Sequence, residues 1–150
     1  MSLKQQIEGD IKKAMLAKQK DELTALRSIK SLILLAETEK GSQDVLSEDQ
    51  EMKLLMKAAK QRKDSAGLYQ EKGREDLASK ELLELEVINR YLPKQLSEDE
   101  LKEALKAIIT EIGASGPQDM GKVMGAATKK LAGKADGKTI SSLVKTILQN

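Results

Sequence analysis

The chain has 150 residues, a third of them charged but with a formal net charge of only +2, and it contains no Cys, His, Phe or Trp. Missing thiols exclude a disulfide framework, a thiolate zinc site and a cysteine nucleophile; missing imidazoles remove the commonest general base near neutral pH and the commonest transition-metal ligand. A chain of this length buries roughly two thirds of its unfolded surface, and with only Tyr69 and Tyr91 aromatic its core must be filled by Leu, Ile, Ala and Met.

In chain order, MSLKQQIEGDIKK opens with charges where an export signal is apolar, and the longest apolar run, residues 32–36, is far too short to span a bilayer. A cytoplasmic protein without a membrane partner is expected. A weak amphipathic helix carries Leu3, Ile7, Ile11, Ala14 and Met15. A second, from about Asp21 to Lys40, lines up Leu26, Ile29, Ile33 and Ala36. A third, from about Ser47 to Lys72, lines up Met52, Leu55, Ala59, Ala66 and Tyr69, and outruns its neighbours, which suggests an extended hairpin or bundle. Ala78, Leu82, Leu85, Ile88 and Leu92 form a fourth stripe, stopped by Pro93, which lacks an N–H and clashes with the preceding turn.

Beyond Pro93 three short helices follow. Leu101, Ala104, Leu105, Ile108, Ile109 and Ile112 make one continuous stripe at helical spacing. Met120, Val123, Met124, Ala127 and Leu131 make the next, and Ile140, Leu143, Val144, Ile147 and Leu148 the last. Ser97 with Glu100 reads as a capping box beside a Leu96–Leu101 hydrophobic staple; Ser47 with Gln50 reads as a second box and Ser115 with Gln118 as a third. No alternating run argues for a strand. The expected fold is all-α: about four N-terminal helices in residues 1–93, then a three-helix domain in residues 94–150, with the boundary inside LPKQLS, residues 92–97.

Three motifs suggest chemistry that their surroundings do not support. AGKADGKTI, residues 132–140, has phosphate-loop spacing, but such a loop follows a buried strand, and AATKKL before it is a helical segment. The same residues read as a helix end with Gly133 left-handed, a cap at Asp136 and a new stripe from Ile140. Ser142 and Lys145 have serine-acylase spacing, yet both fall on or near the polar side, where a lysine is not desolvated enough to act as base. Gly121 and Gly125 form a GxxxG pair, read as room for a neighbouring helix. No catalytic residue, metal site or cofactor site is expected.

Charge distribution is more informative. From Pro117 onward Lys122, Lys129, Lys130, Lys134, Lys138 and Lys145 stand against Asp119 and Asp136, a net +4, whereas residues 95–116 carry a net −3. By charge alone two readings stand: lysines solvating short helices, or a surface for phosphate backbones. Two tyrosines cannot build a stacking platform for single strands, so an RNA target would be structured and read by shape and backbone.

DMGKVMGAATKKLAGKADGKTISSLVKTIL, residues 119–148, resembles the tail of the B subunit of the tRNA-dependent amidotransferase. KQRKDSAGLYQEKGREDLASKELLELEVINRYLPKQLSEDEL, residues 60–101, and LTALRSIKSLILLAE, residues 23–37, resemble the stand-alone YqeY family that shares this tail. The resemblance implies binding of tRNA or another structured RNA, with Lys122 and Lys138 as the main backbone contacts and Lys129, Lys130, Lys134 and Lys145 alongside. Arg62 and Arg74 are family-like positions whose roles divide between RNA contact and ion pairing across helices. The family label, a carbon–nitrogen ligase with glutamine as amido donor, finds no catalytic residues here. A protein-interaction module that docks on an amidotransferase or an aminoacyl-tRNA synthetase is the alternative, and a free-standing amidotransferase a further one.

Overall fold

The computed structural model describes residues 2–39 and 45–149; the expected end of the second helix at Lys40 lies outside them. The protein is all-α, with seven helices and no strand among the described residues: α1 (Leu3–Leu16), α2 (Lys20–Glu39), α3 (Glu48–Glu71), α4 (Glu75–Asn89), α5 (Glu98–Ile112), α6 (Met120–Lys130) and α7 (Gly137–Gln149), with a short 3₁₀ turn at Pro117–Asp119 before α6. The chain divides into two compact units, one ending at Leu92 and one beginning at Pro93.

Polar side chains set where helices begin. Ser47 accepts from the Gln50 N–H while the Gln50 side chain accepts from the Ser47 N–H, and Ser97 and Glu100 reciprocate in the same way. Those bonds hold the Glu100 carboxyl below the usual carboxylate range. Ser2 with Gln5 forms a further capping box at the start of α1, a pattern that reading apolar stripes alone misses. Three helices end on a left-handed residue: Lys18 (φ 56°), Gly73 (φ 71°) and Gly113 (φ 70°). In each case the next N–H reaches back five residues, as when Arg74 donates to the Tyr69 carbonyl at 2.8 Å.

In the N-terminal unit α1 packs on α2, α3 runs along α4, and α2 contacts both α3 and α4. Ile7, Leu26, Ile29, Ile33, Leu55, Ala58, Val87 and Ile88 are buried together. Polar links tie its helices: the Leu3 N–H donates to Glu51 at 3.1 Å, Lys4 pairs with Glu37 at 3.3 Å, and the Tyr91 hydroxyl donates to Asp10. In the C-terminal unit α5, α6 and α7 close on Leu101, Leu105, Ile108, Val123, Ala127, Leu131, Ile140, Val144 and Leu148.

Some stripe positions depart from expectation. Met15 is 54% exposed and Leu82 43% exposed, because α1 and α4 bury narrower faces than their full apolar stripes; Ile112, in the last turn of α5, is also exposed. The Ser115–Gln118 capping box does not form: the 3₁₀ turn intervenes, and Asp119 accepts from the Ser115 N–H at 2.9 Å. No described helix is long and apolar enough to cross a membrane.

Candidate nucleic-acid interface

The six C-terminal lysines occupy α6, α7 and the turn between them, and all are exposed. Lys122 and Lys129 are seven residues apart on α6; at 100° per residue they share one line along the helix, roughly 10 Å apart. That line lies off the face that buries Val123 and Ala127. Lys138 and Lys145 repeat the spacing on α7, away from buried Ile140 and Val144. Lys134 sits in the turn, residues 131–136, and Lys130 in the last turn of α6. Four of the six therefore flank one corner, because 129, 130, 134 and 138 bracket a single short turn.

The lysines differ in pairing. Lys130 is bound to Glu111 of α5. Lys122, Lys129, Lys134, Lys138 and Lys145 make no ion pair among the described residues, and the nearby Asp119 carboxylate is engaged by the Ser115 N–H. Asp136, between Lys134 and Lys138, offsets part of this charge, and the surplus of cations leaves a net positive field for an external anion.

The glycines are not where close helix packing would need them. A Cβ placed at Gly121, Gly125 or Gly137 would meet open space. The GxxxG pair faces solvent, since it lies off the Val123–Ala127 face that packs on the bundle; the expected approach of a neighbouring helix is absent. Only Gly133, buried and left-handed at φ 75°, is required by the backbone of this corner.

The 132–139 stretch is a helix–turn–helix corner. It follows α6, and Lys138 and Thr139 belong to the first turn of α7, where the Thr139 hydroxyl lies 3.5 Å from the Asp136 carboxylate. Ser142 and Lys145 are both exposed. No group of three or more metal-ligating side chains gathers among the described residues.

In the N-terminal unit Arg62 donates to Glu84 at 3.1 Å and to Ser28 at 3.3 Å, joining α3, α4 and α2. Arg74 pairs with Asp76, two residues along at the start of α4, where the contact raises the guanidinium pKa and lowers that of the carboxyl. Both arginines are ion-paired, but only Arg62 across helices. Residues that the sequence reading did not assign also shape the site: Glu111 holds Lys130, and Gln95 donates to the Gly133 carbonyl in the lysine turn.

Residues 4–148 match the YqeY family, described as Yqey-like protein. The chain belongs to the YqeY family. Similar relatives carry the name "Altered inheritance of mitochondria protein 41, mitochondrial". The Clavispora lusitaniae protein is 42% identical over 71% of this chain and 62% of its own length. A Saccharomyces cerevisiae protein is 31% identical over 93% of this chain and 74% of its own, and one from Kluyveromyces lactis is 32% identical over 93% and 72%. This YqeY-family chain thus spans less than two thirds of the first relative's length. The expectation of a cytoplasmic protein is overturned: these relatives are named as mitochondrial proteins, and a charged N-terminus does not report a compartment.

Proposed function

We propose that this YqeY-family protein binds tRNA or another structured RNA through the α6–α7 corner, as a module without a catalytic site of its own. The observation that supports this most is that five exposed lysines on α6, α7 and their turn make no ion pair among the described residues. Lysine pairs two helical turns apart, on flexible stems, can reach separate phosphates of one backbone, and exposed Gly121 and Gly125 leave the flank of α6 open to a sugar–phosphate backbone. The C-terminal unit has no aromatic side chain on which to stack bases, which favours recognition by shape.

The test is binding of the full chain to an unmodified tRNA transcript over a salt series, with a mitochondrial transcript included because the relatives are named as mitochondrial proteins. Affinity should fall steeply with salt, and changing Lys122 and Lys138 together to Ala should lower the logarithmic slope by roughly two, equally for unrelated tRNA sequences. Unchanged binding in that double variant removes the site assignment.

A second reading, an adaptor that docks on an amidotransferase or synthetase component, is favoured by the N-terminal unit. Leu35 is 57% exposed in a 160 Å³ groove whose apolar residues, Leu32, Ala36, Leu54 and Ala58, are joined by Glu39, Lys57 and Gln61, and Leu68 is 51% exposed. A stable partner recovered after nuclease treatment, from a protein that binds no RNA when pure, would establish it in place of the first.

A further inference from the structure

The segment after Leu92 folds onto the lysine turn. The Gln95 side-chain amide donates to the Gly133 carbonyl at 2.6 Å and to the Pro93 carbonyl at 2.9 Å. The next residue, Leu96, donates its backbone N–H to the Lys134 carbonyl at 3.0 Å, and its side chain packs against the C-terminal core. Two carbonyls facing one primary amide fix its orientation, because only the NH₂ end can donate to both.

Within the turn the Lys134 backbone N–H donates to the Leu131 carbonyl at 3.0 Å, the Asp136 carbonyl accepts from the Ile140 N–H at 3.0 Å, and Gly133 holds its left-handed conformation. The carbonyls of residues 133 and 134 are both held from residues 95 and 96, which lie outside the α6–α7 segment. A turn held this way enters a complex already ordered; a free one must be ordered on binding, at a cost in affinity.

We infer that Gln95 is a positioning residue of the RNA surface: its amide holds the turn that carries Lys134 between Lys129, Lys130 and Lys138, so that the ammonium groups reach a phosphate backbone in a fixed spacing. This rests on the RNA reading above. Gln95 itself need not touch RNA, since its donor is spent on the Gly133 and Pro93 carbonyls.

The experiment compares wild-type full chain with Gln95→Met, which keeps the side-chain length and removes the donor, and with Lys134→Ala. Amide hydrogen exchange is read without RNA, and binding to an unmodified tRNA transcript is read over a salt series. In Gln95→Met, exchange at Leu96 and Lys134 should rise about tenfold while Leu105 and Val144 stay protected, and the dissociation constant should rise roughly threefold to tenfold, the scale of one net hydrogen bond. Its salt slope should match wild type, because no cation is lost. Lys134→Ala should do the reverse, lowering the slope by about one with Leu96 exchange unchanged. Should Gln95→Met unfold the C-terminal unit, Gln95→Asn, one methylene short of Gly133, takes its place with the same readings. A variant that exchanges faster yet binds as wild type overturns the inference and leaves the RNA reading standing, and so does one that loses affinity without faster exchange. Wild-type protein that does not bind the transcript overturns both.

Discussion

Arg62 reaches from α3 to Glu84 on α4 with an N–O distance of 3.1 Å, and its other arm meets the Ser28 hydroxyl on α2. The Arg62 side chain is only 16% exposed, so removing it leaves a partly buried carboxylate without its donor. Arg62→Met should destabilise the N-terminal unit by about 1–3 kcal/mol, the scale of a charged hydrogen bond. Both tyrosines lie in that unit, so tyrosine fluorescence during urea unfolding reports on it selectively. Arg74→Ala, which breaks a largely exposed pair with Asp76, should leave the same midpoint unmoved. RNA affinity should survive Arg62→Met if Arg62 is a structural pin.

Tyr91 supplies a pH dependence. Burial first, and then its bond to Asp10, raise the phenol pKa above the ordinary value near 10. The folded state therefore binds this proton more tightly than the unfolded state, so the stabilisation is complete below pH 10 and is lost as pH rises beyond it. Tyr91→Phe should cost about 1 kcal/mol at neutral pH. It should also flatten the alkaline decline of stability relative to wild type, measured by circular dichroism in urea at pH values on both sides of 10.

Gly125 and Gly133 should respond oppositely to the same substitution. Gly125 lies inside α6 with open space where a Cβ would stand, so Gly125→Ala should stabilise the C-terminal unit by about 0.5–1 kcal/mol. Gly133 is buried at φ 75°, and Gly133→Ala should cost about 1–2 kcal/mol. This unit contains neither tyrosine, so far-ultraviolet circular dichroism is the measure. If the open flank of α6 admits an RNA backbone, Gly125→Ala should weaken tRNA binding even as it stabilises the fold.

Features set by near neighbours in the chain were legible without coordinates. The Ser47 and Ser97 boxes depend on a partner three residues away, and the stripe of α5 from Leu101 to Ile108 follows from helical spacing. What failed depends on what lies across the bundle. Leu82 continues its stripe perfectly well, yet it stays 43% exposed; Gly121 and Gly125 have the spacing of a packing motif at positions where a Cβ would meet open space. The candidate site follows the same division. Lysine clustering could be counted along the chain, but the bonds from Glu111 to Lys130 and from Gln95 to Gly133 join positions 19 and 38 residues apart, and no local pattern announces them.

The Glu111–Lys130 pair makes the last prediction. Both side chains are at least half exposed, 65% and 50%, so the pair adds little to stability, and breaking it should not move the unfolding midpoint. On the proposed RNA surface its effect should be larger, because Glu111 pairs with one of six lysines and adds a repulsive charge beside the corner. Glu111→Gln should tighten tRNA binding by roughly twofold to threefold at low salt, with the gain shrinking as salt rises. Lys129→Ala should weaken binding more than Lys130→Ala, since Lys130 must first leave its carboxylate to meet a phosphate. Anisotropy titrations of the three variants decide the matter. Equal losses at both lysines, with no gain from Glu111→Gln, would mean that pairing within the protein does not govern which ammonium groups reach the RNA.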